Sequence, residues 1–439
     1  MRWRGPRVRP AAGAGAGEKL PRPYLGGVAG QSDARLGLRL GQDARTDAPE
    51  KDVSAAVVRL AALGCGILVA TIYYGQPLLD PISRSIGLPR AAAGLVVTVM
   101  QVGYGLGLAG IVPLADRYEN RALVTASLGV TALALAAIGL ARGAAGFLVP
   151  AAVAGMSCVG AQILVPMIAG MAAPARRGRV IGTVMGGLLT GIMLARPAAS
   201  FVASLVGWRG MFLVAAAATA LVCVALRLTL PRHVPAGRGH YLATLRSTVA
   251  VIGRYPLLRR RIAYQALLFA LFVGFWTTVP LLLADRFGFG QQRIALFALA
   301  GAGGALAAPF AGRLADRGHA RAATMTAAAG AAAMLAATWP LAFWGRASLA
   351  AAVALALCAA VFDAFVQTNH VVSQRLIFAL SDAERARLNA AYTSSIFAAG
   401  AMASAFGPVL YAALGWKALS LAGLAMAAPI LAAEALARS

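Results

Sequence analysis

The tetrapeptide Leu114-Ala115-Asp116-Arg117 returns two hundred residues later as Leu314-Ala315-Asp316-Arg317. Gly103 and Gly303, Leu106 and Leu306, and Arg121 and Arg321 coincide at the same spacing, and Gly207-Trp208-Arg209 is answered by Gly415-Trp416-Lys417 at a slightly longer one. An aligned block of this kind marks a tandem duplication. Each tetrapeptide stands where a long apolar run meets a charged turn, so the duplicated unit is a bundle of membrane helices. A chain of this kind must fold as two related helical halves.

Composition agrees. With 60% hydrophobic and 13% charged residues and a mean hydropathy of +0.74, the chain has too little polar surface to enclose itself in water. The net charge of +25 would suggest nucleic acid in a soluble protein. Here the basic residues fall in short gaps between apolar runs, so membrane orientation explains them and no nucleic-acid partner is expected. Cys65, Cys158, Cys223 and Cys358 each lie in a separate run, without a C-x-x-C pair or a suitably spaced His, and read as small core residues with no metal or cofactor.

Residues 1–55 mix Pro, Gly, Arg and acids without an apolar period, as expected of a disordered basic arm, or of a start codon placed upstream of the true one. The arm has no apolar stretch of signal-peptide length, so the first helix is expected to act as its own insertion signal. Crossing about 30 Å of hydrocarbon takes about 20 apolar residues. Runs at 57–79, 91–114, 121–141, 145–172, 179–205 and 209–230 make a first half, 57–230. Runs at 262–284, 292–314, 321–342, 347–378, 387–412 and 416–437 make a second, 262–437, after a linker, 231–261, whose Tyr241 to Leu258 portion reads as an amphipathic surface helix. The gaps after even-numbered runs hold nineteen Arg and Lys against eight in the others, which predicts both termini on the cytoplasmic side.

Two parallel six-helix repeats with a basic turn after the second helix of each resemble the major facilitator superfamily. Gly312, Asp316, Arg317, Gly318 and Arg321 follow its turn signature closely, and the first copy keeps Asp116, Arg117 and Arg121 but has Val112 and Tyr118 in place of glycines. Tyr73 to Leu79 and Gly182 to Met185 are also similar to segments of bacterial efflux permeases grouped with arabinose exporters and drug/proton antiporters. The fold implied is an all-α membrane protein of twelve transmembrane helices in two pseudo-symmetric six-helix bundles. Asp116 and Asp316 each end their own helix, where the dipole disfavours an anion by about 0.3–1 kcal/mol. Each is therefore expected to serve a different helix. The nearest amino ends are those of run 11, near Arg387 and Asn389, and run 5, near Gly178 and Arg179, and the resemblance implies that pairing across the two halves, as a gate. A solvated charged turn is the plainer reading.

Run 10 carries Asp363, Gln367, His370 and Gln374 at offsets 0, 4, 7 and 11, one helical face about 16 Å long. A polar stripe cannot face lipid, and charge at membrane depth marks an ion or substrate path by default. Asp363 is the one carboxylate placed well inside the membrane, so Asp363 with His370 is the candidate proton-coupling site; a permanently paired structural acid is the alternative. Arg196, near the middle of run 5, is an ion-pair partner for Asp363, a ligand for an anionic substrate, or a snorkelling side chain. The resemblance implies that runs 1, 4, 7 and 10 line the central cavity. Tyr73, Tyr74, Gln76, Gln162, Gln265 and Trp276 lie on those runs as substrate contacts, with Gln367 and Gln374, or else as interhelical hydrogen bonds and interfacial anchors. Gly103, Gly105, Gly107 and Gly110, and Gly301 to Gly304, read as close-packing seams. The chain is thus expected to be a monomeric secondary transporter of a bacterial plasma membrane. It would export a small organic solute, sugar or drug-like, against proton entry; an importer or uniporter of the same fold is the alternative, and a non-transporting receptor or a membrane-embedded enzyme is a more distant one. No Walker A loop is present to use ATP, and no metal cluster or nucleophile with its base marks an enzyme.

Overall fold

The computed structural model describes residues 53–232, 234, 241–343, 348–381 and 384–436. The basic arm, apart from residues 53–55, lies outside the described residues, as do parts of the linker and of two turns. Among the described residues all regular structure is helical. Nine helices among the described residues are long and apolar enough to cross a bilayer. One of them, Arg177–Thr229, has 53 residues, about 80 Å at 1.5 Å per residue, far more than one crossing takes. It is two spans joined at Gly207. A shorter first span, Ala55–Thr71, breaks over 72–78 and resumes as Leu79–Ser85, and the eighth is assembled from Gln291–Ala298, the 3-10 turn Leu299–Ala302 and Gly303–Asp316.

The result is twelve spans. Span 1 is 55–85 and span 2 Arg90–Asp116; span 3 is Asn120–Gly139 and span 4 Ala144–Gly170. Spans 5 and 6 are 177–206 and 208–229, and spans 7 and 8 are Pro256–Phe287 and 291–316. The last four are Ala320–Phe343, Leu349–Phe378, Arg385–Leu414 and Lys417–Leu436. A separate linker helix, Tyr241–Arg254, precedes span 7. The expected amphipathic helix thus stops four residues early and span 7 starts six residues early. Pro256 explains both: it holds Tyr255 extended (φ −111°, ψ 102°) and then opens the next helix as its first residue.

The duplication is visible in the corners. Gly207 (φ 73°, ψ 168°) and Gly415 (φ 70°, ψ −169°) turn the chain between spans 5 and 6 and between spans 11 and 12, in a backbone region essentially reserved for glycine. The tryptophan that follows each, Trp208 and Trp416, is buried. The repeated arginine also does one job twice. Arg121 donates to the Leu230 carbonyl at the end of span 6, and Arg321 donates to the Glu434 carbonyl at the end of span 12. Each satisfies an orphan carbonyl where the helix dipole favours a cation. In the second half Glu434 is itself buried, its carboxylate 3.7 Å from Arg321 and 4.0 Å from Arg261.

Two apolar cores form, one centred on residues between Val53 and Leu230 and running on across the seam to Phe269, Val273, Leu388, Tyr392 and Phe397, the other between Tyr264 and Ile430. Across the seam, span 2 packs on span 11, span 5 on the first part of span 8, and the end of span 1 on span 7. Ties cluster near the face opposite the one where spans 1 and 12 begin and end. There Arg90 pairs with Asp285 at 3.0 Å, Ser200 bonds Gln291, and Thr98 bonds Ser404. At the terminal face the later part of span 8 packs instead on span 10 of its own half. Of the expected glycine seam, Gly103 and Gly107 meet span 4, where an added methyl would stand 2.3 and 2.2 Å from backbone oxygens, but Gly105 faces open space.

The linker helix ties the halves at the terminal face. Tyr241 donates its hydroxyl to the Gly110 carbonyl in span 2 at 2.8 Å, while Arg254 and Tyr255 donate to the Glu384 carboxylate, between spans 10 and 11, at 2.6 and 2.7 Å. The Tyr255 hydroxyl, and after it Arg254, hold the Glu384 carboxyl below the ordinary range, and the carboxylate in turn holds the Tyr255 phenol above its own.

Two outcomes follow. Gly207→Ala and Gly415→Ala should each destabilise the protein by about 1–3 kcal/mol through backbone strain; thermal unfolding of the detergent-solubilised protein measures it. The depressed Glu384 carboxyl means the anchor is complete above the ordinary Glu range and is lost as pH falls through the lower folded value. Spin labels at Tyr118 and Ala379 should therefore show a broader distance distribution at low pH, and Glu384→Gln should reproduce it at neutral pH.

Candidate functional site

Three spans are interrupted near mid-length: span 1 over 72–78, span 4 at Cys158 and Val159, and span 8 over Leu299–Ala302. Broken helices free backbone and side chains from the helical surface, and in transporters they gather around midplane sites. Spans 1 and 5 approach closely here, since a methyl on Gly191 would stand 2.2 Å from the Gly66 carbonyl oxygen. That approach sets Gln76, in the break of span 1, against Arg196.

Arg196 is 2% exposed, which rules out snorkelling. Its Nε donates to Gln76 Oε1 at 2.6 Å. The guanidinium carbon lies 4.9, 5.0 and 4.6 Å from the ring centres of Tyr73, Phe272 and Trp276. Aromatic faces attract a cation and cover it from water, so this box replaces part of the lost hydration. Arg196 Nη2 and Gln76 Nε2 are buried without a partner.

Asp363, 3% exposed, reaches the same chamber from span 10. Its Oδ1 accepts from the Trp276 indole at 2.8 Å. A methyl on Gly301, in the break of span 8, would stand 3.4 Å from Arg196 Nη1 and 3.5 Å from Asp363 Oδ2. The two charges therefore share one nearly filled chamber, the void beside Arg196 and Trp276 being only about 10 Å³, with a glycine between them but no direct ion pair; the expected partnership is one of proximity, with Gln76 and Trp276 as the bonded partners. Arg196 belongs to the first half and Asp363 to the second.

The rest of the stripe leads away from this chamber towards the terminal face. His370, about 10 Å along the helix from Asp363, meets the Tyr392 hydroxyl through Nδ1 at 3.1 Å and stacks on its ring. Gln265 accepts from Asn369 at 2.8 Å. Gln367 and Gln374 are half-buried, and among the described residues neither has a hydrogen-bond partner. Gln162 is spent on an interhelical bond, donating to the Tyr104 hydroxyl at 3.1 Å, and Tyr74 is buried in the first core. Gln101, fully buried in span 2 at the seam, leaves both amide atoms unpartnered.

Sequence reasoning missed Phe272, Asn369, Tyr392, Tyr104 and Gln101. Asn369 is the instructive case, a polar residue in an apolar run that lies off the face carrying Asp363, Gln367, His370 and Gln374. The turn aspartates also differ from expectation. Asp316 pairs with Arg375 of span 10 in its own half, while Asp116 and Arg117 are exposed and Asp116 makes no bond or ion pair with a described residue. The halves are not joined through these turns at the terminal face, so the amino ends of spans 5 and 11 do not receive them. Gly318 (φ 79°) closes the second turn, as its motif position requires.

The sequence pattern of the Major Facilitator Superfamily matches residues 61–375. The uncharacterized transporter YgaY of Escherichia coli is 36% identical over 380 residues, covering 86% of this chain and 95% of its own. Two solved structures share the fold. A bacterial homologue of the human lysosomal transporter Spinster, inward-facing and occupied, has a TM-score of 0.68 at 15% identity, covering 87% of this chain and 95% of its own. A D-xylose-proton symporter has a TM-score of 0.65 at 15% identity, covering 85% and 96%. With its duplicated halves, twelve spans and matched pattern, the chain belongs to the Major Facilitator Superfamily of membrane transporters.

Proposed function

We propose that this transporter is proton-coupled, that it moves a small organic solute by alternating access between its two six-helix halves, and that Asp363 carries the proton. The observation behind this reading is that two buried opposite charges in one chamber come from opposite halves. Any rocking of the halves changes their separation and their access to water, which is what a coupling site must exploit. The seam ties near one face and the separate packing of span 8 at the other suit a state closed on the first side. His370 with Tyr392, and the half-buried Gln367 and Gln374, lie on the way from Asp363 to the terminal face and serve as the route for proton or solute.

Export against proton entry is the direction supported by the likeness of Tyr73 to Leu79 and Gly182 to Met185 to efflux permeases. Movement of an organic acid together with its proton is the second reading, and the buried Arg196 guanidinium beside Asp363 favours it. The excess of Arg and Lys in the turns of the terminal face supports a cytoplasmic position for that face in a bacterial cell. The chain acts as a monomer.

Inverted vesicles energised with a proton gradient and screened with sugars, cationic drugs, amino acids and organic acids test the reading. Asp363→Asn should cut gradient-driven accumulation of the transported solute by 100-fold or more, on the order of the loss of a required titrating group, while solute exchange continues. Accumulation unchanged in Asp363→Asn removes the aspartate from coupling. A reporter protein fused after Leu436 should be reachable only from the cytoplasmic side.

A further inference from the structure

Around Arg196 the hydrogen-bond donors outnumber the acceptors. Its Nε is engaged by Gln76 Oε1, but Nη2, on the same edge of the guanidinium, and Nε2 of the same glutamine are both buried and unpartnered. Each of these nitrogens shares a carbon with an atom of that one short bond, so the two free donors belong to directly joined, neighbouring groups. The nearby carboxylate, Asp363, is committed through Oδ1 to Trp276 and faces Gly301 with Oδ2. A buried N–H without an acceptor is costly, and in a binding site it is met by the ligand.

We propose that the solute carries a carboxylate, one oxygen accepting from Arg196 Nη2 and the other from Gln76 Nε2. This rests on reading the chamber as the transport site. A planar two-oxygen acceptor can meet two neighbouring donors, one with each oxygen. A cation would have to approach a guanidinium, and a phosphate monoester would bring nearly two negative charges to a single arginine. A neutral sugar would bring several hydroxyls that themselves need acceptors, and among the described residues the one free acceptor here is Asp363 Oδ2 against the two free donors.

The test uses the purified full chain and thermal unfolding with acetate, lactate, succinate and benzoate, the amides of these acids, and ethylamine and benzylamine. At least one carboxylate should raise the unfolding temperature of the wild type while its amide does not. Arg196→Lys should abolish that shift, because a lysine ammonium is a point charge without the planar edge. Gln76→Glu preserves the acceptor for Arg196 Nε and replaces the free amide nitrogen by oxygen; it should weaken the carboxylate by roughly 10- to 100-fold in a protein that still unfolds cooperatively. A panel in which no carboxylate stabilises, or one that wild type and Gln76→Glu bind equally, overturns the proposal. Vesicle transport of a neutral or cationic solute without any carboxylate response overturns it too and leaves the transporter reading standing. Failure of the vesicles to move any solute, with the glutamine-dependent carboxylate response intact, upholds the binding site and sinks the transport reading instead.

Discussion

A guanidinium held at membrane depth has to be given back, from protein atoms, what water supplied. Even lenient insertion scales put an arginine at about 2.5–3.5 kcal/mol unfavourable at the centre of a membrane helix. Around Arg196 the compensation comes from two spans: the amide of Gln76 and the ring of Tyr73 from the break of span 1, and the rings of Phe272 and Trp276 from span 7. Each contribution depends on something local. The glycine pair between spans 1 and 5 lets the backbones close up, the break over 72–78 turns Gln76 inward, and Gly301 leaves room for both charges. Much of the central architecture serves to make one cation tolerable without neutralising it.

The chamber is also where the two halves exchange chemistry. The first apolar core runs on across the seam to Phe269, Val273, Ile396 and Phe397, so the surface between the halves is apolar with polar groups set into it. Among the described residues Gln101 buries an amide with no partner in the seam, and Thr98 meets Ser404 across it. Unpaired polar atoms make a closed seam less stable than an apolar one would be. An interface that has to open repeatedly is better left in that condition than perfected.

The duplication is written plainly in the chain, and with it the span count and the placing of Arg196 and Asp363 at membrane depth. Apolar length and residue type determine those features, and both survive in one dimension. The linker boundary was displaced because the amphipathic period runs through Tyr255, and the effect of Pro256 on its neighbour decides the break. The bonded partners of the two charges were less legible. Gln76 is 120 positions from Arg196 and Trp276 is 87 from Asp363, and nothing periodic connects them; they meet because of how the spans cross. The aspartate turns were misassigned for a related reason: a helix end needs a cation or a donor, but whether the nearest one lies in the same half depends on how far the halves stand apart. Asp316 took Arg375 from its own half.

The linker helix adds a mechanical constraint. Its anchors at Tyr241 and Arg254 sit on a rod of 14 residues, about 20 Å end to end. A rod cannot stretch, so the mouth at that face has a maximum aperture for as long as both ends hold. The fastenings are a phenol on a carbonyl and a water-accessible ion pair, weak enough to let go under modest load. Such a device behaves as a detent: it sets a preferred resting width, yields when the halves swing past it, and clicks back on return.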